Sequence, residues 1–199
     1  MKTIEVKFQI IGPIKRSTFD HKNADLESEA IEDLFHWLWS TRLQITRFRH
    51  SLVSEFDYLC KGSSLKARRR FSATSYDEHI LLVAAANLDR SLKKAQKFVP
   101  RKLKLPEQHQ RALYLLRNIY EHWDQLRKEY RQPKGPLQGS ALRLKQEFPN
   151  AVPWSISFDP NTGEITIANT VPLKPFNDAL RQLEAKLLHF QRQYRKKST

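Results

Sequence analysis

The sequence has little of the residues on which several classes of protein depend. Cys60 is its one cysteine, so no internal disulfide can form, and we expect a reducing, cytoplasmic setting. Because Cys60 closes an apolar helical stripe, we expect it to be a small core residue. Only five glycines occur, and none are clustered before a helix. This excludes a phosphate-binding glycine-rich loop, and no Gly-x-Ser-x-Gly nucleophile elbow is present.

Long apolar runs and metal-binding clusters are scarce as well. The longest apolar run, Ile80 to Ala86, is far too short to cross a bilayer. Charged residues interrupt the first residues, 1–7, so we expect neither a signal peptide nor a membrane anchor. The histidines are scattered without acidic or cysteine neighbours at ligand spacing, so we expect no metal and no cofactor.

Positive charge is abundant. Lys and Arg number 35 against 21 Asp and Glu, which gives a formal net charge of +14. Such a chain is attracted to polyanions, of which nucleic acid is the commonest and anionic membrane the second. We interpret residues 61–74 as a loop, and it carries a basic group formed by Lys66, Arg68, Arg69 and Arg70. This group is either an RNA-binding patch for the phosphate backbone or simply a solvated loop.

Hydrophobic periodicity indicates a mainly α fold with a small β part. Apolar residues at helical spacing predict helices over about 25–60, 75–99, 107–131 and 175–196, and residues 141–148 suit a short helix. The pattern Ser75 to Glu78 is a capping box at the start of the second helix. Alternation predicts a strand over Thr3 to Ile11 and a β-hairpin over about 153–169. We expect a single domain, 1–199, in which an antiparallel bundle of four to five helices carries the strand and the hairpin.

One stretch of the third long helix combines chemically useful groups. It reads Arg117-Asn118-Ile119-Tyr120-Glu121-His122 and lies in the helix predicted from Glu107 to Arg131. Asn118 and His122 are four residues apart and therefore share a face of the helix, with Arg117 beside them. An arginine, an amide and an imidazole at the edge of a buried seam can bind a phosphate and move a proton.

This motif resembles that of the HEPN family (higher eukaryotes and prokaryotes nucleotide-binding domains). The family mark is an Arg, four to six residues and a His, usually with Asn, Asp or His directly after the Arg. Arg117, Asn118 and His122 fit this stricter form. A second match in spacing, Arg16 to His21, has Ser17 after the Arg and lies outside any helical register.

The resemblance implies a metal-independent endoribonuclease that cuts RNA by attack of the 2′-hydroxyl, with Arg117, Asn118 and His122 as catalytic residues. It also implies a homodimer, because such enzymes pair two motifs in one cleft. A toxin or defence role with a cognate antitoxin protein would fit this activity. The alternatives are a catalytically silent HEPN-like module that binds RNA or protein, and a basic helical scaffold in which Arg117 and Glu121 form an ordinary surface ion pair.

Overall fold

The fold is a helical bundle with a small antiparallel sheet, as the sequence predicted. The computed structural model describes the backbone of residues 21–62, 64–100, 103–121 and 136–197, and the side chains of these residues except at 21–25, 64–73, 136–138 and 194–197. Its helices are α1 (His21–Cys60), α2 (Ser64–Ala95), α3 (Glu107–Glu121), α4 (Pro136–Glu147) and α5 (Leu173–Lys197). Its strands are β1 (Ile156–Asp159), β2 (Glu164–Ile167) and β3 (Val171–Pro172). The strand predicted over Thr3 to Ile11 lies outside the described residues.

A long antiparallel pair, α1 and α2, forms the base of the bundle. The 40 residues of α1 span about 60 Å at 1.5 Å per residue. The helix is continuous through Ser40-Thr41, where the Thr41 hydroxyl donates to the Trp37 carbonyl at 2.7 Å. It ends where Gly62, with φ +70°, donates its N–H to the carbonyl of Leu59 at 3.0 Å. Gly62 is thus the residue that stops the helix, close to the end at 60 that the sequence predicted.

Three sequence predictions near the helix ends are wrong. Residues 64–74 are helical rather than a loop, because the run from Lys66 to Arg70 consists of strong helix formers. Ser75 is consequently an interior residue of α2 and caps no helix. Cys60 is exposed, because the last turns of α1 extend beyond the buried part of the bundle.

The region before the sheet also differs from the prediction. Helix α4 begins at Pro136, five residues before the start at 141 that the sequence predicted. Proline suits the first turn of a helix because its missing N–H would have no helical partner there. The prediction of a helix over 141–148 therefore found the element but placed its start too late.

The predicted β-hairpin is confirmed. Strands β1 and β2 are antiparallel, with Ile156 opposite Ile167 and Asp159 opposite Glu164. The turn closes through a 2.8 Å bond from the N–H of Gly163, at φ +66°, to the carbonyl of Asp159. The two-residue strand β3 continues the sheet in the order β1-β2-β3 and was not predicted.

The sheet packs against α5 and is hydrogen-bonded to its first turn. Ile165, Ile167 and Val171 are buried, as is the apolar seam of α5. The Glu164 carboxylate accepts the N–H of Lys174 at 3.1 Å, so it satisfies one free donor in the first turn of α5. Helix α5 begins at Leu173, two residues before the Pro175 at which the sequence predicted it to start.

All described helices contribute to one hydrophobic cluster, and polar side chains connect them around it. The indole N–H of Trp39 on α1 donates to Glu184 on α5 at 2.7 Å. Arg111 on α3 donates two bonds, of 2.8 and 2.7 Å, to Glu147 on α4. None of the described helices combines the length with the unbroken apolar sequence that crossing a bilayer requires.

Candidate active site

The C-terminal half of α3 carries the predicted motif, and packing fixes its orientation. The carbonyl of Pro106 accepts the N–H of Gln110, which places the start of helical bonding at this proline. The side of α3 that faces α2 and the sheet is fully buried from Ala112 to Tyr120. The Gln110 amide donates to Asp89 on α2 at 2.9 Å. Because both the buried face of α3 and the bond from Gln110 fix the helix against its neighbours, the side chains at the edge of that face have defined positions.

Arg117 lies at this edge and is already engaged by two neighbours on its own helix. Its guanidinium forms a close ion pair with Glu121 one turn later, and Nη1 donates to the Asn118 amide oxygen at 3.3 Å. The side chain is 19% exposed, and its Nε is buried without a hydrogen-bond partner among the described residues. The guanidinium is therefore held in place while part of its donor capacity is unused.

The structure brings Arg117 and Asn118 into contact, whereas His122 lies outside the described residues. The ion pair of Arg117 and Glu121 is the contact that the structural alternative predicted, and it is present. A catalytic role for the motif stays a prediction. The backbone of Lys66, Arg68, Arg69 and Arg70 is part of α2, and the side chains of these four residues lie outside the described ones.

A buried polar cluster faces the motif helix from α2, and sequence reasoning missed it. Glu78 is only 3% exposed, and Tyr120, three residues after Arg117, is 8% exposed. Burial raises the pKa of Glu78 to about 7, and the nearby Tyr120 hydroxyl partly opposes this. Burial, and then the Glu78 charge, raise the pKa of Tyr120. Neither Glu78 Oε1 nor the Tyr120 hydroxyl has a partner at normal hydrogen-bond geometry among the described residues.

Aromatic rings surround this cluster. The rings of His79 and Tyr120 lie 6.3 Å apart between centroids, and those of Tyr120 and Trp154 lie 6.1 Å apart. Trp154 precedes β1 and is half exposed. The neighbouring Asp77 has other contacts: its Oδ2 accepts the Ser51 hydroxyl at 2.5 Å, and its Oδ1 forms an ion pair with Arg47 at 3.4 Å but accepts no hydrogen bond from the described residues.

One signal in the sequence points to Glu78. With α2 starting at Ser64, Glu78 lies three and four residues before Leu81 and Leu82, on the core side of the helix. A carboxylate at such a position is buried and its pKa is perturbed, which marks candidate functional sites. The capping-box interpretation concealed this signal, because it assigned Glu78 to a helix start, where acidic residues are ordinary.

The described residues hold no group of three His, Cys, Asp or Glu side chains that could share a metal ion. Their chemistry is that of a cation, an amide and buried proton-carrying groups. Comparisons of the chain with models of known families, with curated proteins and with solved structures find no match.

Proposed function

We propose that the protein is a metal-independent endoribonuclease of the HEPN type, which acts on RNA in the cytoplasm as a homodimer. The observation that carries this proposal is the contact between Arg117 and Asn118 at the edge of the buried face of α3, five and four residues before His122 in the chain. The net charge of +14 supports a polyanionic substrate. The helical bundle supports the proposal, because the HEPN resemblance implies helical surroundings, whereas the small sheet lies outside that pattern.

The proposed reaction uses the RNA's own nucleophile. His122 takes the proton of a 2′-hydroxyl as that oxygen attacks the adjacent phosphorus, since imidazole titrates near neutral pH. Arg117 stabilises the negative charge that develops on the phosphate oxygens. The bond to the 5′-oxygen breaks, and this oxygen receives a proton from the second imidazole of the dimer. The products are a 2′,3′-cyclic phosphate and a 5′-hydroxyl.

Neighbouring side chains have supporting roles in this scheme. Glu121 holds the guanidinium of Arg117 through its ion pair, and Asn118 accepts one of its N–H groups. A phosphate bound at Arg117 would use donors not satisfied by these contacts or displace Glu121 from part of them. We further propose that such an activity serves as a toxin or a defence component, restrained by a cognate antitoxin protein.

The first test is cleavage of RNA in the presence of EDTA. We expect wild-type protein to produce cyclic-phosphate ends, and His122→Ala to lower the rate by about 10²–10⁴-fold, the usual contribution of a proton-transferring group. Arg117→Lys keeps the charge but loses the two-pronged contact with phosphate, so we expect a clear loss there as well. Circular dichroism and thermal unfolding check that both variants are folded.

The second spacing match supplies a matched control. His21→Ala removes a histidine from the Arg16 to His21 spacing, and we expect it to leave the cleavage rate unchanged. Equal rates of RNA cleavage for His122→Ala and wild type would reject the proposal that the protein is a nuclease of this type. Salt-sensitive RNA binding without cleavage would favour the catalytically silent RNA-binding module. The net positive charge of the chain supports this alternative as well. No RNA binding at moderate salt would leave only the basic helical scaffold.

A further inference from the structure

Trp154 has a backbone conformation that bulky residues rarely adopt. Its φ of +62° lies in the left-handed region, which for a large side chain is a genuine outlier. Hydrogen bonds on both sides hold the turn: Ser155 donates its N–H to Val152 at 3.1 Å, and Ala168 donates to Ser155 at 2.7 Å. Such strain persists only where the surrounding structure enforces it, and it concentrates at ligand-binding positions.

The side chain of Trp154 is the outer member of a series of three rings. His79 on α2, Tyr120 on α3 and Trp154 follow one another at 6.3 and 6.1 Å, with interplanar angles of 38° and 39°. The middle ring is buried, whereas Trp154 is 50% exposed. The series therefore passes through a buried ring and ends in a half-exposed one, on which a further planar group can stack.

The electrostatic surroundings favour an anionic partner for this ring. Arg117 lies one turn before Tyr120 on the same side of α3, so a cation stands next to the ring series. Two carboxyl groups also lie here. Glu121 is paired with Arg117, so this pair is neutral overall, and burial raises the pKa of Glu78 to about 7, so Glu78 is about half ionised at neutral pH. The anionic partner is therefore favoured by the net charge of +14 and by the N–H groups of Arg117 that Glu121 and Asn118 leave free. A planar base joined to a phosphate matches both features at once.

We propose that Trp154 stacks on an unpaired base of single-stranded RNA whose phosphate lies at Arg117. This inference rests on the proposed function, since it takes RNA as the ligand, and it deepens it by naming the strand type and a positioning residue. Stacking on aromatic side chains tolerates all four bases, because every base has a planar face. A base inside a duplex is already stacked and has no free face to offer, so the platform discriminates against double-stranded RNA.

The test measures binding separately from cleavage. His122→Ala protein in EDTA serves as the background, and fluorescence anisotropy follows a short labelled RNA, either unpaired or annealed to its complement. We expect an added Trp154→Ala to weaken binding of the single strand by about 5- to 100-fold, the range found when a stacking aromatic is truncated. Affinity for the duplex should not change. Trp154→Phe should restore most of the single-strand affinity.

Val152 provides the matched control, because it is also 50% exposed and lies in the same turn. Val152→Ala should bind both RNAs like the background. Equal single-strand affinities for Trp154→Ala and the background would overturn the stacking role and leave the nuclease proposal standing. Equal losses in Trp154→Ala and Val152→Ala would also overturn it, since the turn and not the ring would then matter. If the background bound neither RNA, the proposed function and the inference would fail together.

Discussion

A single residue, Glu78, makes the stability of the folded bundle depend on pH. Its carboxyl group lies 3% exposed between α2 and α3, and burial raises its pKa from 4.5 to about 7. In the unfolded chain the group ionises near its ordinary value, so the folded state holds the proton more tightly. Its contribution to stability is complete below about pH 4.5 and is lost as the pH rises to about 7.

We therefore expect Glu78→Gln to remove this dependence. A neutral amide of the same shape needs no proton, so the variant should gain up to about 3 kcal/mol over wild type at pH 8 and little at pH 5. Urea unfolding across this pH range measures the difference. Glu29→Gln, at an exposed position of α1, is the control and should leave the profile unchanged. Parallel pH profiles for Glu78→Gln and wild type would contradict the assignment.

Two glycines in different conformations give opposite expectations for the same substitution. Gly163 has a φ of +66°, and a β-carbon added there would lie 3.2 Å from Nη2 of Arg49. Gly163→Ala should therefore cost about 1–2 kcal/mol of unfolding free energy. Gly139 lies in α4 with open space around it, so Gly139→Ala should add about 0.5–1 kcal/mol. Denaturant unfolding compares the pair, and two shifts of the same sign would contradict the expectation.

At the scale of elements, the sequence predicted those helices and strands that have a regular apolar repeat or that are bounded by turn-forming residues. The seam of α5, Phe176 to Leu187, recurs at threes and fours, and Asp159 to Gly163 is strong turn chemistry, so both elements were found. The start of α2 was missed because basic residues interrupt its apolar pattern although they favour helix. The contact of Arg117 with its neighbours follows from helical spacing. The approach of Glu78 and Trp154 to that helix depends on tertiary packing, which no local pattern contains.

The contact between α1 and α5 depends on one acidic residue. Glu184 accepts the Trp39 indole N–H at 2.7 Å and forms a close ion pair with Arg42. Glu184→Ala would leave a partly buried guanidinium without its counter-charge, so we expect a loss of about 2 kcal/mol. The exposed pair of Asp57 and Lys61 is the control, and Asp57→Ala should cost much less, because solvent screens this pair. Thermal unfolding of both variants checks this, and equal losses would contradict it.

At the scale of the whole molecule, several acidic residues form ion pairs that join one helix to another. Asp33, Asp77, Glu147 and Glu184 each form an ion pair with a cation on another helix, and Glu121 pairs with Arg117 within α3. Because Lys and Arg outnumber Asp and Glu by 35 to 21, much of the positive charge remains without a counter-charge. Attraction to a polyanion follows from this net charge, and it weakens as salt screens it.

The pairing of α1 with α2 carries a consequence for how the two longest helices align. Two hydroxyl–carboxylate bonds join them, Ser51 to Asp77 at 2.5 Å and Ser91 to Asp33 at 2.6 Å, near opposite ends of the contact. Leucine-rich surfaces alone permit sliding by one turn at small cost. Such a slip would place the Asp33 carboxylate opposite Leu88 or Ala95, each fully buried, and would break both bonds, which leaves the buried Asp77 without its hydroxyl donor. These two short bonds therefore favour one alignment of α1 with α2 over the others that apolar contacts alone would permit.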